Sequence, residues 1–252
     1  MAKLDGVLKF KGRVGEVTMW KGADGYQART KTGMDGNRVK LDPRFERTRE
    51  NASEFGRAGV GSRVLRTAIA PLLRLASDKR VTSRLTQVMM KVLQADPVSI
   101  RGQRNLTNGN PELLRGFEFN IDARLVSAFN PPLAPSIDRV NGVWQVDIPA
   151  FIPDDHVSKP EGATHFKLKA AGFEIDFDQQ TYDVSIAETQ LIPYSREEQE
   201  PIQLTEALPP NSTKHLFIIF GIEFFQLVNG LQYALKSGQF NALTMAEVER
   251  GS

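Results

Sequence analysis

The chain has 252 residues, with 40% hydrophobic residues, 25% charged residues and a net charge of +2 at neutral pH. These values are typical of globular domains and exclude collagen, coiled coil and general disorder as descriptions of the whole chain. The sequence has no cysteine, which excludes disulfides, thiolate metal ligands and cysteine nucleophiles, and which fits a reducing compartment.

The N-terminal residues lack the apolar core of a secretory signal. We therefore expect synthesis in the cytoplasm, with the product either remaining there or becoming part of an assembled or released particle.

Residues 7–31 predict a β-hairpin. Its strands would be residues 14–20 and 26–30, joined by the turn 22–25, which contains Gly and Asp. An isolated hairpin is only marginally stable, so this arm needs another surface to pack on, in the same chain or in a second subunit. The candidate contact residues of the arm are Val14, Val17, Trp20 and Tyr26.

Two helices are predicted after the arm. The first begins at Asp42-Pro43, because aspartate is a favoured N-cap and proline fits the first helical turn, and its glycines and Pro71 predict a kinked path. The second covers residues 81–94 and ends before Asp96-Pro97, so the two predict an α-helical hairpin. Small side chains on the first helix would admit another backbone at close range. The candidate contact residues there are Ala52, Phe55, Gly56 and Gly59.

The rest of the chain predicts short strands divided by turns such as Asn229-Gly230. The predicted strands are residues 117–121, 136–140, 143–148, 165–170, 173–177, 182–189, 215–228 and 232–235. Because hairpins connect them and no helical pattern intervenes, they predict an antiparallel β-sandwich of Ig or fibronectin type. The predicted fold class is therefore α+β, with an arm over 1–40, a basic helical region over 41–115 and an acidic sandwich over 116–252.

The longest apolar run is residues 216–228, and it contains Gly221, Glu223 and Gln226. It is shorter than the roughly 20 residues that span a bilayer. We expect buried strands there, and no membrane partner.

The two halves of the chain carry opposite charge. Residues 1–115 contain 23 Lys and Arg against 11 Asp and Glu, whereas residues 116–252 contain 9 against 19. The basic half could face nucleic acid, the acidic half of the same molecule, or the acidic half of a neighbouring copy in a head-to-tail contact. A polarised and solvated surface without a specific partner is the fourth interpretation.

Several basic residues lie on or near the first helix. The candidate charged contacts are Arg44, Arg47, Arg57, Arg63 and Arg66. Glu46, Glu50 and Glu54 alternate with the arginines at helical spacing, which favours a salt-bridged face over a track for phosphates. Nucleic-acid binding is therefore the alternative hypothesis rather than the first.

No motif in the sequence predicts catalysis, a cofactor or a metal. The glycines between Gly56 and Ser62 lack the Gly-Lys-Ser/Thr ending of a phosphate-binding loop, and the three histidines lack zinc-ligand spacing. Asp154-Asp155 and the pair Asp176 and Asp178 are clustered carboxylates of the kind that calcium prefers, but a role as turn residues is the favoured interpretation. We expect a protein that is not an enzyme.

The segment from Gly6 through residues 12–17, the Trp20-Lys21-Gly22 pattern and residues 49–55 of the helix resemble uncharacterised Bacteroidota proteins. In those proteins a Gly-rich hairpin precedes a helix and a β-sandwich with a Tyr-containing strand near the C-terminus, here residues 232–234. The resemblance implies an architecture and no activity, so no site residue is carried over.

The combination of arm, glycine-lined helix and opposed charge blocks predicts a structural subunit that assembles with copies of itself into a filament, tube or phage-like particle. The alternatives are a nucleic-acid-binding protein and a sandwich module that binds carbohydrate or protein. The last of these would need an exposed aromatic platform that includes Trp144 or Tyr182.

Overall fold

The computed structural model describes residues 2–3, 11–22, 25–30, 36–76, 78–235 and 239–251. Its fold is mixed α/β with mostly antiparallel sheets, at 37% strand and 27% helix. By their contacts the residues fall into two units, 1–49 and 50–252. The three-domain division expected from the sequence stays a prediction.

The first unit contains a four-stranded antiparallel sheet in the order β1-β4-β3-β2. Its strands are β1 (Ala2–Lys3), β2 (Gly12–Val14), β3 (Val17–Gly22) and β4 (Gly25–Thr30). The predicted hairpin is confirmed as the β3–β4 pair. The start of its first strand at residue 14 is wrong, because Gly15 adopts a φ of 58° and turns the chain between Val14 and Val17. Positions 7–10, 23–24 and 31 of the predicted hairpin lie outside the described residues.

The predicted helix start at Asp42-Pro43 is confirmed. A short helix, α1 (Gly36–Leu41), precedes it, and the Asp42 carboxylate accepts a hydrogen bond from the Arg44 N–H at 3.0 Å. The 3₁₀ turn Pro43–Phe45 then leads into α2 (Glu46–Ala68).

The path of the first predicted helix breaks at one position. Helix α2 continues through Gly56, Gly59 and Gly61, so the glycines do not interrupt it. The break comes after Ala68, where α3 (Ala70–Leu73) begins with Pro71 in its first turn.

The second predicted helix is confirmed as α4 (Val81–Gln94). The Asp96 carboxylate after it accepts hydrogen bonds from the backbone N–H groups of Val98, Ser99 and Asn105 at 2.8–3.1 Å. Burial by itself raises the pKa of Asp96, but these hydrogen bonds to the charged form outweigh it and lower the pKa to about 2. The carboxylate thereby organises the loop between α4 and the sheets.

The second unit contains two sheets, and two further helices are single turns, α5 (Leu125–Ala128) and α6 (Pro153–His156). The small sheet has the order β10-β6-β5, with β5 (Ala134–Asp138), β6 (Val143–Ile148) and β10 (Ile202–Ala207). The large sheet contains β7 (His165–Asp176), β8 (Thr181–Glu188), β9 (Ile192–Pro193), β11 (His215–Val228), β12 (Leu231–Ala234) and β13 (Ala242–Glu249).

Several strand predictions need correction. The predicted strands 165–170 and 173–177 are one continuous strand, β7, which pairs with β11 from His165 to Ile175. Residues 117–121 form only an isolated bridge, between Glu118 and Thr244. Strands β9, β10 and β13 were not predicted.

The large sheet separates two hydrophobic clusters. In β7, Phe166, Leu168 and Ala170 belong to the cluster that includes the small sheet, whereas Ala171, Phe173 and Ile175 belong to the cluster that includes α2 and α4. Because successive strand residues point to opposite faces, the helices lie on one face of the large sheet and the small sheet on the other. The second unit therefore has three layers, and an Ig-like sandwich is not confirmed.

The small sheet meets the large one at a tight contact. Trp144 in β6 is fully buried, donates its indole N–H to the Ser185 hydroxyl at 2.7 Å, and lies against Gly172. A Cβ atom on Gly172 would lie 2.0 Å from Cδ1 of the Trp144 ring. Only glycine at this position lets the indole reach the sheet.

The replacement Gly172→Ala is expected to lower the free energy of unfolding by about 1–3 kcal/mol, because a rigid indole cannot move out of the way. Gly59→Ala in α2 is the control, since nothing lies within 4 Å of its added Cβ and alanine favours a helix by about 0.5–1 kcal/mol. Denaturant unfolding monitored by circular dichroism measures both. Equal effects of the two changes would contradict the contact.

The pKa of Asp96 predicts acid sensitivity. A carboxylate whose pKa is depressed in the folded state stabilises the fold at pH values above its usual pKa of 3.8, and that contribution is lost as the pH falls toward 2. The melting temperature should therefore drop between pH 4 and pH 2. In Asp96→Ala this drop should be smaller and the melting temperature at neutral pH lower, and an unchanged pH profile would contradict the assignment.

Candidate functional site

The candidate chemistry identified in the sequence has structural roles. The Asp176 carboxylate accepts from the N–H groups of Asp178 and Gln179 at 3.0 and 2.8 Å, as a turn aspartate does. Gly56 to Ser62 lie inside α2 and form no phosphate-binding loop. In the described part of the chain, no group of three or more His, Asp or Glu could hold a metal ion.

His215 is buried and connects the segment at Gly251 to the loop after α4. Its Nδ1 accepts from the Gly251 N–H at 2.8 Å, so Nε2 carries the proton and donates to the Leu106 carbonyl at 3.3 Å. Burial lowers the pKa of His215, which keeps the ring neutral.

The predicted charged contacts differ in exposure and in hydrogen bonding. Arg57 donates to the carbonyl oxygens of Arg104 and Gly102 at 2.6 and 2.7 Å, and Arg63 donates to Gln180 at 3.1 Å. Arg66 is half-buried, whereas Arg44 and Arg47 are exposed residues of the first unit. Arg57 therefore holds a loop in place and is not free to bind phosphate.

The predicted contact residues of the arm are exposed to different extents. Val14, in the edge strand β2, is 66% exposed, whereas Val17, Trp20 and Tyr26 are half-buried in the sheet of the first unit. Of this group, Val14 is thus the residue most open to a partner.

The predicted contact face of α2 points to solvent. Ala52, Phe55 and Gly56 are exposed and Gly59 is half-buried. The residues that α2 buries are Glu54, Ala58, Gly61, Ser62, Val64, Leu65 and Ala68. The glycine in close contact is Gly61, because a Cβ there would lie 2.0 Å from Cδ1 of Leu106.

Buried Glu54 sets this orientation of the helix. Its carboxylate accepts from the Gly102 N–H at 2.7 Å and lies 3.9 Å from Arg104 Nε. On the same side of α2, Glu50 pairs with Arg101 at 3.4 Å. The loop after α4 thus binds the polar side of α2, and Phe55 is left outside at 61% exposure.

A groove of about 730 Å³ lies beside Phe55 on the outer side of the helical layer. We call it the helix-face groove, and its lining residues are Phe55, Lys79, Thr82, Ser83, Thr86, Gln87, Met90, Lys91 and Gln94. The charged residues among them are two lysines. The groove therefore combines apolar surface with positive charge.

Two acidic loops lie on the other side of the large sheet. We call residues 153–161 and 194–200 the acidic loop pair. Asp154 N–H donates to the Ser195 carbonyl at 3.1 Å, and Phe151 and Gln199 exchange backbone hydrogen bonds next to them. Phe151, Val157 and Ile192 anchor this region in the cluster that includes the small sheet.

The ion pairs leave the two charge blocks mostly unconnected. Among the described residues, the pair that joins residues 1–115 to residues 116–252 is Arg115 with Glu247. The other ion pairs lie within one block, for example Arg84 with Asp78 and Lys169 with Glu223. Apart from this pair, ion pairs between the two blocks do not neutralise the opposed charges of the described residues.

A second exposed apolar feature is the hairpin of β11 and β12. Val228 and Leu231 pair across the Asn229-Gly230 turn, and Leu231 and Tyr233 are 61% and 52% exposed. Residues 224–235 contain no charged residue, which is the sequence signal that could have identified this hairpin as a contact element.

No described helix is long and apolar enough to cross a membrane. Comparisons with protein-family models, with curated proteins and with solved structures find no match.

The exposed position of Phe55 predicts a contrast within α2. Phe55→Ala should change the free energy of unfolding by less than about 0.5 kcal/mol, whereas Leu65→Ala should lower it by about 2–5 kcal/mol because Leu65 is fully buried. Denaturant unfolding of the two variants tests this, and a large loss in Phe55→Ala would show that the helix presents the other face to the core.

Proposed function

We propose that this protein is a structural, non-enzymatic subunit that assembles with copies of itself, as a filament, tube or phage-like particle, through arm contacts and opposed charge blocks. The observation that carries the proposal is the segregation of charge. The basic helical layer and the acidic loop pair lie on opposite faces of the large sheet, and few ion pairs join the two blocks.

Opposite charge on opposite faces favours a head-to-tail contact. In such a contact the basic surface of one copy meets the acidic surface of the next, and each added copy leaves both kinds of surface free at the ends. Whether the chain of contacts closes into a ring or continues as a filament depends on the rotation between copies.

The arm supports the proposal through the edge strand β2, whose three residues are all exposed. An uncovered strand edge offers backbone groups for pairing with another chain. For the second unit we propose that the two sheets act as a β-sandwich scaffold, which is supported by their shared hydrophobic cluster and by the bond from Trp144 to Ser185.

The test is light scattering after size exclusion across a salt series. We expect particles larger than a monomer at low salt and dissociation as salt rises, because ions screen contacts between exposed charges. A monomer at every protein concentration and at low salt would refute the proposal.

Nucleic-acid binding is the second candidate, supported by exposed cations on the helical layer such as Lys79, Arg80 and Lys91. It predicts binding to single-stranded or duplex DNA that weakens steeply with salt. The absence of any gel shift at low salt would remove this candidate. A carbohydrate-binding platform is not proposed, because Trp144 is fully buried.

A further inference from the structure

We propose that the helix-face groove binds the acidic loop pair of a second copy of this chain. This inference rests on the proposed self-assembly and names the two surfaces that meet in it.

The groove has room and charge for an acidic loop. Its volume is about 730 Å³, Phe55 and Met90 supply apolar surface, and Lys79 and Lys91 supply positive charge. Neither lysine forms an ion pair with a described residue, and both are exposed. Its cations are therefore available to a partner.

The acidic loop pair has the complementary charge. Asp155, Glu197, Glu198 and Glu200 are exposed and form no ion pair with a described residue, whereas Asp154 pairs with Lys159 at 3.5 Å. The loop pair also contains the exposed cations Lys159 and Arg196, which are outnumbered by its six carboxylates. The backbone hydrogen bonds between the loops hold these charges in one region, so the net surface is negative and preformed.

The position of the two surfaces selects a second copy as the occupant. The groove lies in the helical layer, which packs on one cluster of the large sheet, and the loops are anchored in the other cluster, which contains the small sheet. One chain therefore carries both halves of a complementary contact at separate places, and a head-to-tail contact between copies can repeat it.

A charge-exchange experiment with full-length chains tests this contact. Variant A carries Lys79→Glu and Lys91→Glu in the groove, and variant B carries Asp155→Lys and Glu198→Lys in the loops. Each variant alone brings like charges together, so we expect self-association to weaken by roughly tenfold or more for each. In an equimolar mixture, the reversed groove of A meets the reversed loops of B and the native groove of B meets the native loops of A. The mixture should therefore assemble again.

The control is Arg74→Glu with Arg124→Glu, which changes the net charge as variant A does but at exposed sites outside the groove and outside the arm. It should assemble like the unchanged protein, and unaltered melting temperatures would show that all variants fold. If A and B each assemble as well as the unchanged protein, or if the mixture stays dissociated, the inference is overturned while self-assembly stands. If the unchanged protein is a monomer throughout, the proposed function itself fails.

Discussion

The structure of the second unit depends on one constraint, the burial of the β7–β11 strand pair on both faces. The two strands pair over eleven residue positions, and their alternate side chains belong to two different hydrophobic clusters. A one-residue slip in register would move every side chain to the wrong cluster. The same two strands therefore position the helices and the small sheet. They also set the separation between the helical layer and the acidic loop pair.

Elements with strong boundary residues could be predicted from the sequence. Helix α4 and strands β6 and β11 have the predicted bounds, since turn residues or Asp96-Pro97 stand beside continuous apolar patterns. Strand β7 was divided wrongly at Gly172, because a glycine inside an apolar run is typical of a turn. Glycine is required at position 172 because of a distant residue, Trp144, whose ring occupies the space that a side chain would fill.

The orientation of α2 at the candidate site could not be predicted from sequence patterns. The apolar spacing on α2 predicts that Phe55 lies on a contact face, but it does not show that Glu54 is the residue that turns inward. That orientation comes from hydrogen bonds to a loop almost fifty positions away, which local periodicity does not encode. The charge asymmetry, in contrast, is visible in the sequence, and within the second unit the helices and the acidic loops pack with different hydrophobic clusters.

The β11–β12 hairpin has a further consequence for the solution behaviour of the protein. Natural sheets commonly protect their outermost strands with lysine, proline or a bulge, and β12 consists of Leu231, Gln232, Tyr233 and Ala234. At high protein concentration, this strand, which has none of these protective residues, can pair with strands of other molecules in non-native sheets. We therefore expect the colloidal stability of the protein to depend on these four surface residues as well as on its core.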